Sequence, residues 1–430
     1  MRNLGLFALM GAALCAVGVF SSWSESLQIL NLCLISAIMA LGVNMQWGYA
    51  GLFNVGIMGF AALGGVAAVL VAMPPVAETW AVGSKGIGLT LVALAITIAV
   101  TLFVRAKLQG RARKWATAAC IIVGYFAIRE IFDPAVDAIE AVDAARTGYL
   151  GGLGLPIMLS WIVGGAFAAG AAWVVGKIAL GLRADYLAIA TLGIAEIIVA
   201  LLKNEDWLSR GVKNVTGLPR PVPYEADLQA APWFNDLALR LGGDVISLSS
   251  IFVKLCYAVL FTIVLMIVLW FAERALKSPW GRMMRAIRDN RDAAAAMGKN
   301  VTRRHLQVFV LGSAVVGLAG AMMTTLDGQF TPGTYQPLRF TFLIWVMVIV
   351  GGSGNNWGSI LGGFLIWFLW IEAEPVGRWL TETLGAWLPA DSPIKDQLAD
   401  SAAYLRPLVM GTILLLVLRF SPRGLIPERH

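Results

Sequence analysis

The residues with the clearest potential to bind a partner form an arginine-rich stretch at 278–298. Ser278 followed by Pro279 predicts a helix start, because a hydroxyl caps the first free amide groups and proline suits the first helical position. Asp289 or Asn290 can cap a second short helix through the alanines that follow, and Gly298 suits its end. We therefore expect one or two short helices here.

The first of these helices is predicted to be amphipathic. Met283, Ala286 and Ile287 share a face at helical spacing, and Arg285 and Arg288 lie off that face. A helix of this kind either rests on anionic lipid through its cationic side chains or docks on another protein. The pattern alone leaves both interpretations open.

Two further motifs resemble nucleotide or metal sites but lack essential parts. The glycine-rich segment 351–358 has no Gly-Lys-Ser/Thr ending, so it is better explained as a tight turn, with Gly358 and Gly362 packing the flanking helices. Asp289 and Asp292 would need a second acidic cluster to hold a metal-diphosphate. The chain has only two histidines and four cysteines, without CxxC spacing. We expect no catalytic residue, metal or cofactor.

One acid, Glu196, stands well inside an apolar stretch that also contains Thr191. A charge there costs about 2.5–3.5 kcal/mol on insertion scales, so the carboxyl should face a cavity or a partner. The two residues are candidates for the translocation path of a transporter. Alternatively, the carboxyl is protonated or bonded to a neighbouring helix.

Glycines and side-chain amides recur in an earlier apolar region, at Asn44, Gly48, Gly51 and Asn54. Such residues can break a helix and expose backbone groups to a zwitterionic substrate, as at the midplane of transporters. They can equally serve the close packing of helices. Both hypotheses remain open at this point.

Composition predicts the elements that carry these residues. Hydrophobic residues make up 58% of the 430 and charged residues 14%, with a mean hydropathy of +0.75, whereas soluble proteins carry about 25% charged residues. The chain must be solvated largely by lipid, as one all-α polytopic membrane domain, 1–430. A span needs roughly 20 apolar residues, so we predict ten to twelve transmembrane helices, the first of them retained, with 338–350 and 359–371 short or re-entrant. The candidate spans are 4–20, 27–47, 51–73, 87–104, 115–132, 156–179, 186–202, 251–272, 305–326, 338–350, 359–371 and 405–420.

Basic residues cluster in 105–114 and 273–304, whereas 133–155 and 372–404 are acidic. With twelve crossings every basic segment falls on one side, and the positive-inside rule places both termini in the cytoplasm. The formal charge of +7 is then a topology signal and indicates no nucleic-acid partner. We expect 372–404 and the nearly neutral, proline-rich 203–250 to be periplasmic loops.

Several sequence blocks resemble those of the branched-chain amino-acid ABC transporter permeases, in particular the LivM-type subunit. Each block is weak alone, but their order and spacing together are specific, and they cover most of the chain outside about 74–150 and 372–404. The blocks are 41–44, 48–51, 185–193, 281–298, 300–303, 317–321, 350–354, 357–358 and 420–425.

The resemblance implies the permease subunit of an ATP-binding-cassette importer, a transport protein and not an enzyme, in the bacterial inner membrane. It implies four kinds of partner besides lipid: a second, related permease subunit, two ABC ATPases and a periplasmic substrate-binding protein. Segment 273–304 would be the cytoplasmic coupling segment. Its implied ATPase-coupling residues are Gly281, Arg285, Ala286, Ile287, Arg288, Asn290, Asp292, Ala293, Ala294 and Gly298.

Two departures from the family pattern stand out. Segment 87–132 looks like a helix pair added to the usual plan, and Asp292 stands where the family's loop often has Glu. Urea and short-chain amide permeases share the cytoplasmic signature and remain the alternative for the substrate. An ion-coupled secondary transporter would need several buried acids or histidines, and a purely structural subunit would need no coupling segment.

Overall fold

The computed structural model describes residues 2–143, 147–385 and 404–428, and this part of the chain is almost entirely helical. Nine of its helices are long and apolar enough to cross a membrane. Two shorter apolar helices, α3 with 16 residues and α15 with 15, are also present among the described residues. The predicted all-α polytopic membrane fold is therefore confirmed.

The elements follow one another in a simple order, with two very short strands as the sheet content of the described residues. Their bounds are α1 Arg2–Phe20, α2 Trp23–Asn44, a π-helix Met45–Tyr49, α3 Ile57–Ala72, α4 Ala77–Lys107, α5 Gly110–Val142, α6 Ile157–Ala179, α7 Ala184–Asn204, α8 Asp206–Ser209, a 3-10 helix Gly211–Lys213, β1 Val215–Thr216, α9 Glu225–Ala230, α10 Pro232–Leu241, α11 Val245–Lys277, α12 Pro279–Asp289, α13 Arg291–Ala296, α14 Val301–Asp327, β2 Gln329–Phe330, a 3-10 helix Pro332–Thr334, α15 Pro337–Gly351, α16 Asn356–Gly385 and α17 Leu405–Phe420.

Polar side chains cap several helix starts. Ser22, Asp244, Ser278, Asn290 and Asn300 each accept a hydrogen bond from a backbone amide in the first turn of the helix that follows. Each cap satisfies an amide that has no partner within the helix. Short local signals in the sequence therefore set where these helices begin.

The core of the bundle depends on close contact between helix backbones. A Cβ atom at Gly64 of α3 would overlap the carbonyl oxygen of Gly317 in α14, and one at Gly320 would overlap that of Ala61. Gly164 of α6 lies close to both Gly64 and Gly317. Small residues allow such approach in lipid, where packing replaces the hydrophobic effect as the force between helices.

The turn between α15 and α16 corrects one expectation. The segment 359–371 is not short or re-entrant, because it is the first part of α16, a helix of 30 residues. α15 is short, at 15 residues or about 22 Å. Gly352 and Gly354 take φ of 119° and 83° in the turn, and Gly358 and Gly362 approach the backbone of α15. The predicted turn and glycine packing are thus confirmed.

Both ends of the described chain lie at the end of the bundle that carries α12, which we call the α12 end. Asn3 and Phe7 of α1 line a cavity there together with Glu273, Arg285 and the C-terminal Glu428. Because both ends lie on the same side, the chain crosses the bundle an even number of times. That the α12 end is cytoplasmic stays a prediction.

The helices α4 and α5 form a long hairpin that includes the proposed insertion 87–132. Gly83 and Gly124 let the two helices approach, against Ile139 and Thr97 respectively. In the most apolar stretch of α4, no residue is buried against the rest of the described chain. The hairpin meets the bundle at the end opposite α12, where the amide of Trp207 donates to the carboxylate of Glu140 at 3.1 Å.

The segment 203–250 also lies at that opposite end, and it contains short elements instead of long helices. β1 pairs antiparallel with β2, with Val215 opposite Phe330. Arg220 forms an ion pair with Glu225 at 2.9 Å. The expected loop at 372–404 starts later than predicted, because α16 continues to Gly385; residues 386–403 lie outside the described part.

Candidate functional site: the α12 end

α12 begins as predicted. Pro279 occupies the first turn, and the Ser278 hydroxyl accepts from the amide of Gly281 at 3.3 Å while donating to the carbonyl of Ala275 at 2.7 Å. Gly281 itself has no room for a side chain, since a Cβ there would overlap the carbonyls of Ala275 and Leu276. The helix therefore turns sharply out of α11 and lies against the bundle.

The buried face of α12 differs from the predicted one. Met284 and Ile287 are buried with Gly281, whereas Met283 is only half-buried and Ala286 is exposed. The prediction that Met283, Ala286 and Ile287 form the apolar face was therefore wrong, because the buried face is rotated from it by part of a helical turn. Helical spacing permits both arrangements, and the tight contact at Gly281 selects the observed one.

Arg285 and Arg288 both contact other parts of the same chain. Arg288 Nη1 lies 3.0 Å from Glu428 Oε2 and also donates to the carbonyl oxygen of Gly48, and Arg288 Nε lies 3.2 Å from Asp289. Arg285 Nη1 lies 3.8 Å from the other oxygen of Glu428. These two arginines thus connect α12 to the C-terminal tail and to the end of α2.

The second helix of the arginine-rich stretch, α13, is its exposed part. Asn290 caps it through a 2.9 Å bond from the amide of Ala293, and Asp292 and Ala293 are exposed. Ala294 is half-buried against the core. Gly298 ends the segment with φ of 76°, directly after Met297, whose side chain is 79% exposed.

The helix break predicted near Gly48 is present. α2 passes into a π-helix over Met45–Tyr49, and residues 51–56 are not helical. Gly51 has φ of 67° and faces the Arg288 side chain. A Cβ at Gly48 would overlap the Asn44 side chain and lie 2.5 Å from the amide of Gly354. Here the same glycines serve both the break and the close packing, so the two hypotheses are not exclusive.

Buried amides hold the break in place. Asn44 donates to Asn356 Oδ1 at 3.1 Å and accepts from the amide of Gly354 at 2.8 Å. Tyr49 also donates to Asn356, whose own amide donates to Glu273 at 3.0 Å. This network links α2, α11 and the α15–α16 turn at the α12 end.

A second network lies deeper along the unwound segment. Asn54 donates to Gln46 Oε1 at 2.8 Å and accepts from the amide of Gly56 at 2.9 Å. Trp345 of α15 donates to the Asn54 carbonyl at 3.0 Å, and the Thr191 hydroxyl accepts from the amide of Val55 at 3.0 Å. Five of the six candidate path residues, namely Asn44, Gly48, Gly51, Asn54 and Thr191, thus surround the break.

Glu196, the sixth, lies apart on the exposed face of α7. Its neighbours on that face, Ile189 and Ile197, are 69% and 67% exposed. No described residue forms a hydrogen bond or ion pair with the carboxyl, so none of the described helices supplies the bond that the alternative interpretation requires.

Two cavities open at the α12 end. One of about 610 Å³ is walled by Leu4, Phe7, Leu276 and Trp357 beside the charged groups described above. The other, of about 600 Å³, is lined by Gly48, Gly51, Arg288 and the tail. Within the described residues, no group of three or more His, Cys, Asp or Glu is placed to hold a metal ion.

The sequence interpretation missed Gln46, Trp345, Asn356 and Glu428, all of which anchor these networks. Asn356 belongs to a motif that had been singled out as a turn, so its amide was a signal available in the sequence. Glu428 was not, because a single acid near a basic C-terminus is ordinary. Its partners, Arg285 and Arg288, are separated from it in the sequence by α13 and by the four helices α14 to α17.

The bundle of long apolar helices in the described residues defines a multi-pass membrane protein. The chain belongs to the family described as "Branched-chain amino acid transport system / permease component", whose model matches residues 26–418. The resemblance drawn from the sequence blocks is thereby confirmed.

Among curated proteins, the high-affinity branched-chain amino acid transport system permease protein LivM of Escherichia coli is 29% identical over 238 residues, 53% of either chain. The probable branched-chain amino acid transport permease protein LivM of Methanocaldococcus jannaschii is 28% identical over 37% of this chain and 43% of its own. The fructose import permease protein FrcC of Rhizobium meliloti is 26% identical over 26% and 31%. The chain thus spans about half the length of the first relatives or less. No solved structure matches significantly.

Proposed function

We propose that this chain is the transmembrane permease subunit of an ATP-binding-cassette importer for branched-chain amino acids, coupled through α12 and α13 to separate ATPase subunits. The observation that carries the proposal is the presentation of α13. It is exposed, capped and held at one end of the bundle by α12, one face of which is buried, in a chain of the branched-chain permease family.

The orientation proposal rests on charge. The basic turn at 105–114 follows α4, which starts at the opposite end and crosses over 31 residues, so the turn lies at the α12 end with the arginine-rich segment. Basic residues face the cytoplasm. The α12 end is then cytoplasmic in a bacterial inner membrane, and 203–250 faces a periplasmic substrate-binding protein.

We place the docking surface for the ATPase on the exposed residues of α12 and α13, and not on the arginines. Arg285 and Arg288 contact their own chain, so the surface left for an ATPase comprises Ala286, Asn290, Asp292, Ala293 and Met297. Gly281 and Ile287 would position this surface from below. Ala294 would seat α13, and Gly298 would end it.

A matched pair of variants tests docking. Ala293→Glu places a carboxylate on α13, and Ala112→Glu places one on an equally exposed alanine near the start of α5 at the same end. We expect Ala293→Glu to lower co-purification of the ATPase subunits about tenfold, since an unpaired charge in an interface costs more than 1.4 kcal/mol. Ala112→Glu should leave it unchanged. Equal recovery with both variants contradicts the docking surface.

Transport by the reconstituted complex tests the function itself. Proteoliposomes with both permease subunits, the ATPases and the binding protein should accumulate leucine when ATP is supplied. Accumulation of urea or a short-chain amide instead would favour the alternative substrate class. Uptake that persists without the ATPases, driven by an ion gradient, would refute the importer.

A further inference from the structure

The C-terminal tail after α17 folds back over the α15–α16 turn. The amides of Leu425 and Ile426 donate to the carbonyls of Val350 and Gly351, both at 2.9 Å, and Asn355 donates to the Pro427 carbonyl at 3.0 Å. Ile426 is buried. The tail therefore has a defined position that ends with Glu428 beside α12.

Glu428 is held between two cations. Its oxygens lie 3.0 Å from Arg288 and 3.8 Å from Arg285, and the three side chains are 15%, 22% and 29% exposed. Charged groups buried to this degree cost free energy unless they are paired, so the tail carboxylate and the α12 guanidinium groups stabilise one another in this arrangement. Losing one partner leaves an unpaired charge on the other.

Arg288 connects this pair to the helix break. The same Nη1 that meets Glu428 donates to the carbonyl of Gly48, inside the π-helix Met45–Tyr49. Gly48 lies so close to Asn44 and Gly354 that a Cβ there would overlap them. The link from α12 to Gly48 runs through the Arg288 guanidinium, whose Nη1 is held by Glu428 and whose Nε is held by Asp289.

We propose that Glu428 is a positioning residue that acts through Arg288, holding α12 on the π-helix so that a movement of α12 displaces this π-helix and the non-helical residues 51–56 that follow it. The proposal rests on the proposed function, because a partner must move α12. It goes beyond that function by assigning the tail a role in coupling ATP hydrolysis to transport.

The test compares Glu428→Gln and Arg288→Gln with the double variant in the full reconstituted complex. The readout is leucine transported per ATP hydrolysed. Glu428→Gln should assemble, hydrolyse ATP within about twofold of wild type and lose about tenfold in the ratio, within the 5–150-fold range of coupling between sites. The double variant should be no worse than the worse single, because both remove one link.

Two controls separate positioning from a general need for charge. Arg282→Gln alters an exposed arginine of the same helix that contacts only the Lys277 carbonyl, and it should keep the ratio. Glu428→Asp keeps the charge and should recover most of the transport.

An unchanged ratio in Glu428→Gln overturns the proposal. Loss of Glu428→Gln from the membrane also overturns it, because the pair would then serve only stability. If the wild-type complex shows no ATP-driven uptake, the proposed function fails instead, so the two failures are distinguishable.

Discussion

Replacing Glu196 with an apolar residue should make membrane insertion of α7 more favourable and should impair assembly of the complex. It sits near the middle of α7, on the exposed face between Ile189 and Ile197. A carboxylate at such a depth costs about 2.5–3.5 kcal/mol on insertion scales, whereas leucine contributes about −0.3 to −0.6. Glu196→Leu should therefore improve insertion of an isolated α7 segment by about 3–4 kcal/mol.

Because Glu196 makes insertion of α7 less favourable, we expect its carboxyl to gain a stabilising contact in the assembled protein. No described residue of this chain partners the carboxyl, so we expect this contact to come from the second permease subunit, along the translocation path between the two. Glu196→Leu should lower co-purification of that subunit, and transport with it, about tenfold. Ile197→Leu, at the adjacent exposed position, should affect neither.

The assay has two arms. Glycosylation mapping of the α7 segment gives the insertion free energy, and affinity purification from membranes gives heterodimer recovery. The reasoning is refuted if Glu196→Leu inserts better and still assembles and transports like wild type. In that case the carboxyl faces lipid in the working complex and has no role in the path.

Two further variants test the packing and the polar network. Gly64→Ala should lower the free energy of unfolding by about 1–3 kcal/mol in detergent thermal denaturation, because the added methyl overlaps the Gly317 carbonyl, while Gly170→Ala, which meets no atom within 4 Å, should be neutral. Asn44→Ala should lower the free energy of unfolding by about 1–3 kcal/mol in chemical denaturation, because it leaves the buried amide of Gly354 unpaired. Asn204→Ala removes an exposed bond within its own helix and should lower the free energy of unfolding by less than half as much. Equal effects of the two glycine variants would contradict the packing argument, and equal effects of the two asparagine variants would contradict the polar network.

The loop–helix boundaries show where local signals suffice and where they fail. Ser278 and Pro279 mark the start of α12 because capping depends on a few adjacent residues. The extent of α16 was misjudged because Glu372, Glu374 and the internal Pro375 resemble the start of a loop. α16 as a whole packs against α2, α15 and α17, and Glu374 within the misjudged segment forms an ion pair with Arg406 of α17.

The placement of the functional residues shows the same division. The break around Gly48 was foreseeable, since glycines and amides carry that signal in any membrane helix. The orientation of α12 was not, because several faces of a short helix are apolar enough to be buried. Contact at Gly281 decided between them.

What the sequence by itself determined is the all-α membrane fold, most of its apolar helices and the family of the chain. These depend on hydrophobicity, basic residues and ordered motifs, all of which are visible in the linear sequence. Only the tertiary structure decided that Arg288 faces inward, because its partners are Gly48, 240 residues away in the chain, and the tail residue Glu428. An ion pair of this kind depends on where folded helices meet, and no spacing in the sequence encodes that distance. The arginine-rich segment thus has two parts: arginines that join α12 to its own bundle, and an exposed α13 that remains for a partner.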